Sequence, residues 1–352
     1  MLRDLKVIEL AGVLAGPAVG LFFAELGAQV IKVENPNTEG DITRKWKLPS
    51  EDPDLPASAY FAAVNWNKQH IFLDYSSNTD LQQIYLLIQE ADVLICNWKM
   101  NDAIKYQLDH DTIKKINPDI IYGNISGFGE NDPRVAYDIV LQAETGWMFM
   151  NGVPETQAQK IPIAIVDLFA AHQLKEGILV AYINKLKTGK GSYVSVSLFD
   201  AAVASLANQA SNYLNTGIIP QRTGSLHPNI APYGEIITTG DGIEFVLAIG
   251  TDKQFNLLCK LIGREDLMKD DRFNTNFARV IHRTILLDLI KDNFLRFKSE
   301  EFKNKCISLN IPIGEIRNIA QVFEQPDAGK LILKDAIGNR VRTAIFKITA
   351  ET

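Results

Sequence analysis

Asp167 stands in the stretch IPIAIVDLFAAHQLKEGILVAY, Ile161 to Tyr182, where an apolar run meets one carboxylate and then takes up helical spacing. An Asp at that place can cap the helix, a side-chain oxygen accepting from free backbone N–H groups. The same place suits a nucleophile: helix N–H groups favour a negative charge, so the carboxylate stays ionised and attacks an acyl group without a general base. Position alone leaves both open. Other carboxylates near strand ends are Asp74, Asp138 and Asp200, and most such acids are caps or surface groups. Competing chemistries lack their residues. AGVLAGPAVG has glycines at 12, 16 and 20 but no G-x-G-x-x-G, although Glu34 falls about where a ribose-binding acid would. KTGKGS at 187–192 lacks the spacing of a phosphate-binding loop and reads as a turn between helix and strand. His70, His110, His172, His227 and His282 show no metal-ligand spacing, and no G-x-S-x-G elbow offers a serine nucleophile.

The elements around these residues have the rhythm of an open α/β sheet. LKVIEL, AQVIKVE, HIFLDY, ADVLICN and DIIYGNISGFG read as strands, with helices at GPAVGLFFAELG and DLQQIYLLIQEA between them. This predicts a doubly wound, Rossmann-like large domain over residues 1–220. After it, YGEIITTGDGIEFVLAIG reads as two strands about a Gly-Asp-Gly turn, and DKQFNLLCKLIG and SEEFKNKCISLN as helices. A smaller α+β domain is therefore expected at 221–330, with 331–352 as a short carboxyl-terminal segment returning to one of the two.

Composition narrows the partners. The 352 residues are 46% hydrophobic and 22% charged, with a net charge of −6, which suits a globular protein and not a nucleic-acid binder. Cys96, Cys259 and Cys306 are widely spaced and form no C-x-x-C pair, so a reducing cytoplasm without disulfides or a metal site is expected. No apolar run approaches the roughly 20 residues of a membrane helix.

Nine segments in order resemble the class III coenzyme A transferases, the CaiB/BaiF group that includes formyl-CoA transferase, carnitine-CoA transferase and α-methylacyl-CoA racemase. They are AGPAVGLFFAELGAQVIKVE, GDITR, NWNKQHIFLD, ADVLICNW, NPDIIYGNISGFG, AYDIVLQAETG, IVD before a long helix, KTGKGSYVSVSLFDA and GSLHPNIAPYG. The resemblance implies an interlocked-ring homodimer and a CoA transferase that takes CoA from an acyl-CoA and gives it to a small carboxylic acid. CoA is then a substrate, with no permanently bound cofactor and no metal. Asp167 falls at the family's catalytic aspartate, which forms a covalent aspartyl intermediate.

The family's CoA-binding positions fall here on Val13, Leu73, Asn97, Trp98, Lys105 and Tyr106, with Tyr137 and Asp138 toward the thioester. Read without the resemblance, Val13 and Leu73 are core residues, Lys105 a solvated charge and Trp98 a half-buried aromatic. This chain departs from formyl-CoA transferase at Leu14, in place of a glutamine, and at Val135, in place of a CoA-contacting lysine, so a different acyl group is expected; Arg134 is a candidate substitute for that charge. The racemase branch has a histidine where Tyr137 stands, and His172, roughly 140° round the helix from Asp167, reads as a packing or surface residue. Acyl-CoA racemase and non-catalytic CoA-binding protein are the alternatives. The carboxyl-terminal segment is expected to be shorter than the family's.

Overall fold

A computed structural model describes residues 2–349; residues 350–352 of the expected return segment lie outside them. The chain forms two compact units. The larger holds residues up to Met148, Lys160–Ile219 and the chain from Asp327 onward, and the smaller holds Phe149–Gln159 and Pro220–Pro326. The small unit thus gains the segment 149–159, which the sequence assigned to the large domain, and gives up the residues after 326.

In the large unit, β1 (Lys6–Glu9) leads through α1 (Ala15–Glu25) to β2 (Gln29–Glu34), β3 (Gln69–Phe72), α2 (Asn78–Gln89), β4 (Val93–Cys96) and β5 (Ile121–Ser126). Then come α3 (Asp138–Glu144), the long α4 (Ile165–Thr188), β6 (Ser192–Ser197) and α5 (Ala207–Thr216). Six parallel strands pair in the order β3-β2-β1-β4-β5-β6. The order reverses between β1 and β4, and in such sheets a ligand crevice opens there, beyond the strands' carboxyl ends.

The alternation of side chains along each strand makes two cores. Val7, Val93 and Ile95 face a layer built with α1 and α4, including Val19, Phe23, Leu174 and Ile178. Ile8, Leu94 and Cys96 face the other, with Ile84 and Ile88 of α2. Burying a side chain such as Leu174 or Ile178, both 0% exposed, stabilises the fold by about 1.5–3 kcal/mol. Two glycines let α4 lie close to the sheet. A Cβ on Gly123 of β5 would meet Ile178 Cδ1 at 2.9 Å, and one on Gly177 of α4 would meet Val194 Cγ1 of β6 at 2.6 Å.

The small unit has β7 (Tyr233–Thr238) and β8 (Glu244–Ala248) antiparallel about the Gly-Asp-Gly turn, α6 (Asp252–Leu261), α7 (Ser299–Ser308) and β9 (Ile313–Glu315). Phe245, Phe255, Phe294 and Phe302 fill its core.

Beyond Asp327 the chain returns to the large unit through the hairpin β10 (Ile332–Lys334) and β11 (Asn339–Val341). The buried Glu25 carboxylate accepts from the backbone N–H of Thr343 at 3.0 Å and of Ala344 at 2.6 Å, and pairs with Arg340. The segment expected to return to one of the two domains thus packs on the large unit, from Asp327 onward.

Candidate active site

At the reversal point, the loop after β1 and the end of β4 open a cavity of about 250 Å³. Gly12, Val13, Leu14, Asn97 and Trp98 line it from that side, Ser126 to Tyr137 supply much of the rest, and Asp167 reaches it from α4. A neighbouring hollow of about 230 Å³ shares Val13, Asn97 and Trp98 and adds Glu34, Asp41 and Tyr75.

Asp167 is 8% exposed. It is the third residue of α4, after an N-cap, Ala164, whose side chain makes no cap bond. The cap comes instead from Asp138, at the start of α3. Its Oδ1 accepts from Val166 N at 2.7 Å and Asp167 N at 3.4 Å, and its Oδ2 accepts from Gln142 Nε2 at 2.6 Å. The two roles weighed for Asp167 are thus divided: a carboxylate distant in sequence caps the helix, and Asp167's own is not spent on it. Burial, and then the negative charge of Asp138, push Asp167 up to about 7. The expectation that the helix N-terminus keeps it at an ordinary aspartate value does not hold, because desolvation of the charged form outweighs it.

The other expected CoA-binding residues divide. Val13, Asn97, Trp98 and Tyr137 line the cavity, as do Leu14, Arg134 and Val135. Leu73, Lys105, Tyr106 and Asp138 do not line it. Leu73 faces a separate apolar hollow with Ile8, Ile31 and Ile71 on the sheet. Lys105 is exposed, its Nζ 5.0 Å from the centre of the Tyr106 ring. Tyr106 packs edge-on against Trp98 and Tyr75 at 5.7 and 6.1 Å, so it touches the site through Trp98. Arg134, the candidate substitute charge, pairs with Asp132 and Glu144. His172 lies on the exposed side of α4. Glu34 is engaged: despite its burial, Arg44 and His70 hold its carboxyl well below the usual range, and it also accepts from Asp41 N at 2.8 Å.

Two aromatic residues, Tyr60 and Trp46, were not singled out in the sequence. The Tyr60 phenol is pushed up to about 12 by burial and by the charges of Asp167, Asp138 and Asp41, so it shares their electrostatic environment. Trp46 stacks edge-on against it at 5.1 Å. Among the described residues no group of three or more His, Cys, Asp or Glu is placed to hold a metal ion, and no helix is long and apolar enough to cross a membrane.

A six-stranded parallel sheet whose crevice at the reversal point is lined by a buried carboxylate places the chain among the doubly wound α/β proteins. The sequence profile of CoA-transferase family III matches residues 2–333, and the chain belongs to that family. It is 38% identical over 331 residues to the succinate–glutarate CoA-transferase of Agrobacterium fabrum, covering 92% of this chain and 82% of that protein. Human succinyl-CoA:glutarate CoA-transferase is 32% identical over 332 residues, 92% of this chain and 74% of the human protein. The crystal structure of a CaiB/BaiF family protein from Brucella suis superposes with a TM-score of 0.84 at 39% identity, covering 99% of this chain and 92% of that one.

Proposed function

We propose that this enzyme moves CoA from an acyl-CoA donor to a carboxylic acid through a covalent intermediate on Asp167, and that its substrates are short dicarboxylates of the succinate and glutarate class. The observation that carries the reading is the Asp167 carboxylate, buried at the wall of the cavity and relieved of helix capping by Asp138. In the ionised form, an Asp167 oxygen attacks the thioester carbonyl; the C–S bond breaks and CoA leaves as thiolate, giving a mixed anhydride. The thiolate attacks the aspartyl carbonyl, releasing the donor's carboxylate and leaving aspartyl-CoA. The acceptor carboxylate attacks that thioester, and the expelled thiolate takes the new acyl group, restoring Asp167. Keeping the intermediate in a buried site protects it from water. A group near 7 ionises as the pH rises through neutrality, so the reaction speeds up across that range. The substrate class rests on the relatives in Agrobacterium fabrum and human, whose names specify succinate and glutarate.

Val13, Asn97, Trp98 and Tyr137 are the residues of this chain best placed to receive CoA, which is substrate and not resident cofactor. A homodimer is part of the same reading: α4 and α5 leave Leu186 and Leu214 70% and 77% exposed, apolar surface suited to a second copy. The buried free cysteines suit a cytoplasmic setting. Incubation with succinyl-CoA and hydroxylamine is expected to leave a hydroxamate on the peptide containing Asp167, and Asp167→Asn to abolish both adduct and transfer to glutarate. Transfer at the wild-type rate in that variant overturns the proposal.

A further inference from the structure

The loop that floors the cavity holds an energetically unfavourable turn. Val13 has φ of +69°, in the left-handed region that a β-branched residue seldom enters. It lies between β1 and α1, whose N-cap, Leu14, makes no side-chain cap bond. The conformation has to be imposed from outside, and two side chains grip this backbone. Asn97, at the end of β4, accepts from Gly12 N at 3.1 Å and donates to Gly12 O at 2.8 Å. Asp41 accepts from Val13 N with both oxygens, at 3.1 and 3.3 Å.

Asp41 is itself fixed by the interior. It accepts from Thr43 N and Thr43 Oγ1 at 3.0 and 2.8 Å. Lys32 lies 3.1 Å from its Oδ2 and 3.0 Å from Glu9 Oε1, and donates to Ala11 O at 2.6 Å. Glu9 is held on its other side by Lys68, at 2.7 Å, and Lys68 also donates to Pro17 O and Asn65 Oδ1. Four charges are thus buried beneath one loop. Ion pairs of this kind are weak evidence of stability, since desolvation opposes their attraction. What they supply here is direction: Lys32 ties Asp41 to the carbonyl of Ala11, two residues before the turn that Asp41 grips.

We propose that Asp41 is a positioning residue for the CoA-transfer site, its carboxylate, anchored by Lys32 and Thr43, holding Val13 in the left-handed turn that shapes the cavity floor. Asp41 acts through the backbone of Val13 and not by chemistry of its own. The proposal rests on the CoA-transferase reading for its functional consequence, while the clamp itself is measurable without turnover.

Asp41→Ala, Thr43→Val and Val13→Gly, singly and with Val13→Gly combined with each of the others, test it by CoA titration calorimetry, by succinyl-CoA kinetics and by hydrogen exchange of the peptide spanning residues 11–15. Asp41→Ala is expected to raise Kd for CoA and KM for succinyl-CoA about tenfold while kcat changes less than threefold. Asp41→Asn, which keeps an acceptor, is expected to recover part of that loss. Thr43→Val, which leaves the carboxylate in place, is expected to cost about threefold and serves if Asp41→Ala does not fold. Glycine enters the left-handed region freely, so on the Val13→Gly background both penalties are expected to shrink to less than twofold. Penalties that are equally large on that background overturn the proposal, as does a lowered melting temperature with KM unchanged. If the wild-type protein neither binds CoA nor transfers it, the functional reading fails separately. The clamp is then judged by exchange alone: at least tenfold faster exchange of the Val13 amide in Asp41→Ala supports it, and unchanged exchange refutes it.

Discussion

Replacing Asp167 by Asn is expected to make the protein more stable while removing its activity, and by an amount that depends on pH. An ordinary aspartate titrates near ~3.9, whereas burial and Asp138 push Asp167 up to about 7. The folded protein therefore binds this proton more tightly than the unfolded chain does. The penalty is small below the unfolded value, grows as the pH rises between the two, and is complete above the folded one. At about 1.4 kcal/mol per tenfold change, the full penalty is on the order of 4 kcal/mol. Because Asp167 is only 8% exposed, solvent screening reduces this little. Urea denaturation of wild type and Asp167→Asn at pH 5.5 and 8.5 isolates the effect. The stability advantage of the variant is expected to widen by roughly 2 kcal/mol between those pH values. An advantage that is the same at both, or that narrows, refutes the argument that burial raises this carboxylate, whatever becomes of transfer.

Asp138→Asn retains an acceptor for the N–H groups of Val166 and Asp167 but removes the nearby charge, so the acidic limb of the kcat profile is expected to move below pH 7; an unmoved limb means that Asp138 does not tune Asp167. Gly20→Ala would set a Cβ 1.9 Å from Glu9 Oε2 inside the buried ion cluster, and a loss of at least about 3 kcal/mol is expected in urea unfolding; an unchanged midpoint shows that the cluster is free to shift. Glu25→Ala leaves the buried Arg340 without its carboxylate and two backbone N–H groups without their acceptor. Limited proteolysis is then expected to cut after Leu331 at least tenfold faster, and unchanged cutting places the anchorage of this segment elsewhere.

The strands were legible because their apolar alternation is local. Val7, Ile8, Val93 and Leu94 divide between two faces as the period of two requires. The cap on α4 was not legible, since its carboxylate comes from Asp138, 28 residues before the N–H it binds. A sequence that shows an aspartate near a helix start assigns the cap to that aspartate, and only packing separates the two jobs. Lys32, Lys68, Glu9 and Asp41 were unreadable for the opposite reason. Single charges within strands and loops read as solvated, and their mutual burial depends on pairings across 59 residues, as between Glu9 and Lys68. Lys105 and Leu73 were assigned by matching positions alone, and neither lines the cavity that holds Asp167.

The grip of Glu25 on Thr343 and Ala344 has a consequence for biosynthesis. The large unit is made in three instalments, and the last emerges only after Pro220–Pro326 has been translated. At 5–20 residues per second, the nascent large unit waits roughly 5–20 s with its closing segment missing. Through that interval the acceptor on α1 is occupied by water and Phe22 lacks its contact with Phe346. The small unit has its whole sequence only once Pro326 has been made, just before the closing segment of the large unit appears. A ribosome that pauses before Asp327 would lengthen the exposure, so the speed of translation across the inserted unit bears on how much of the chain is lost to aggregation.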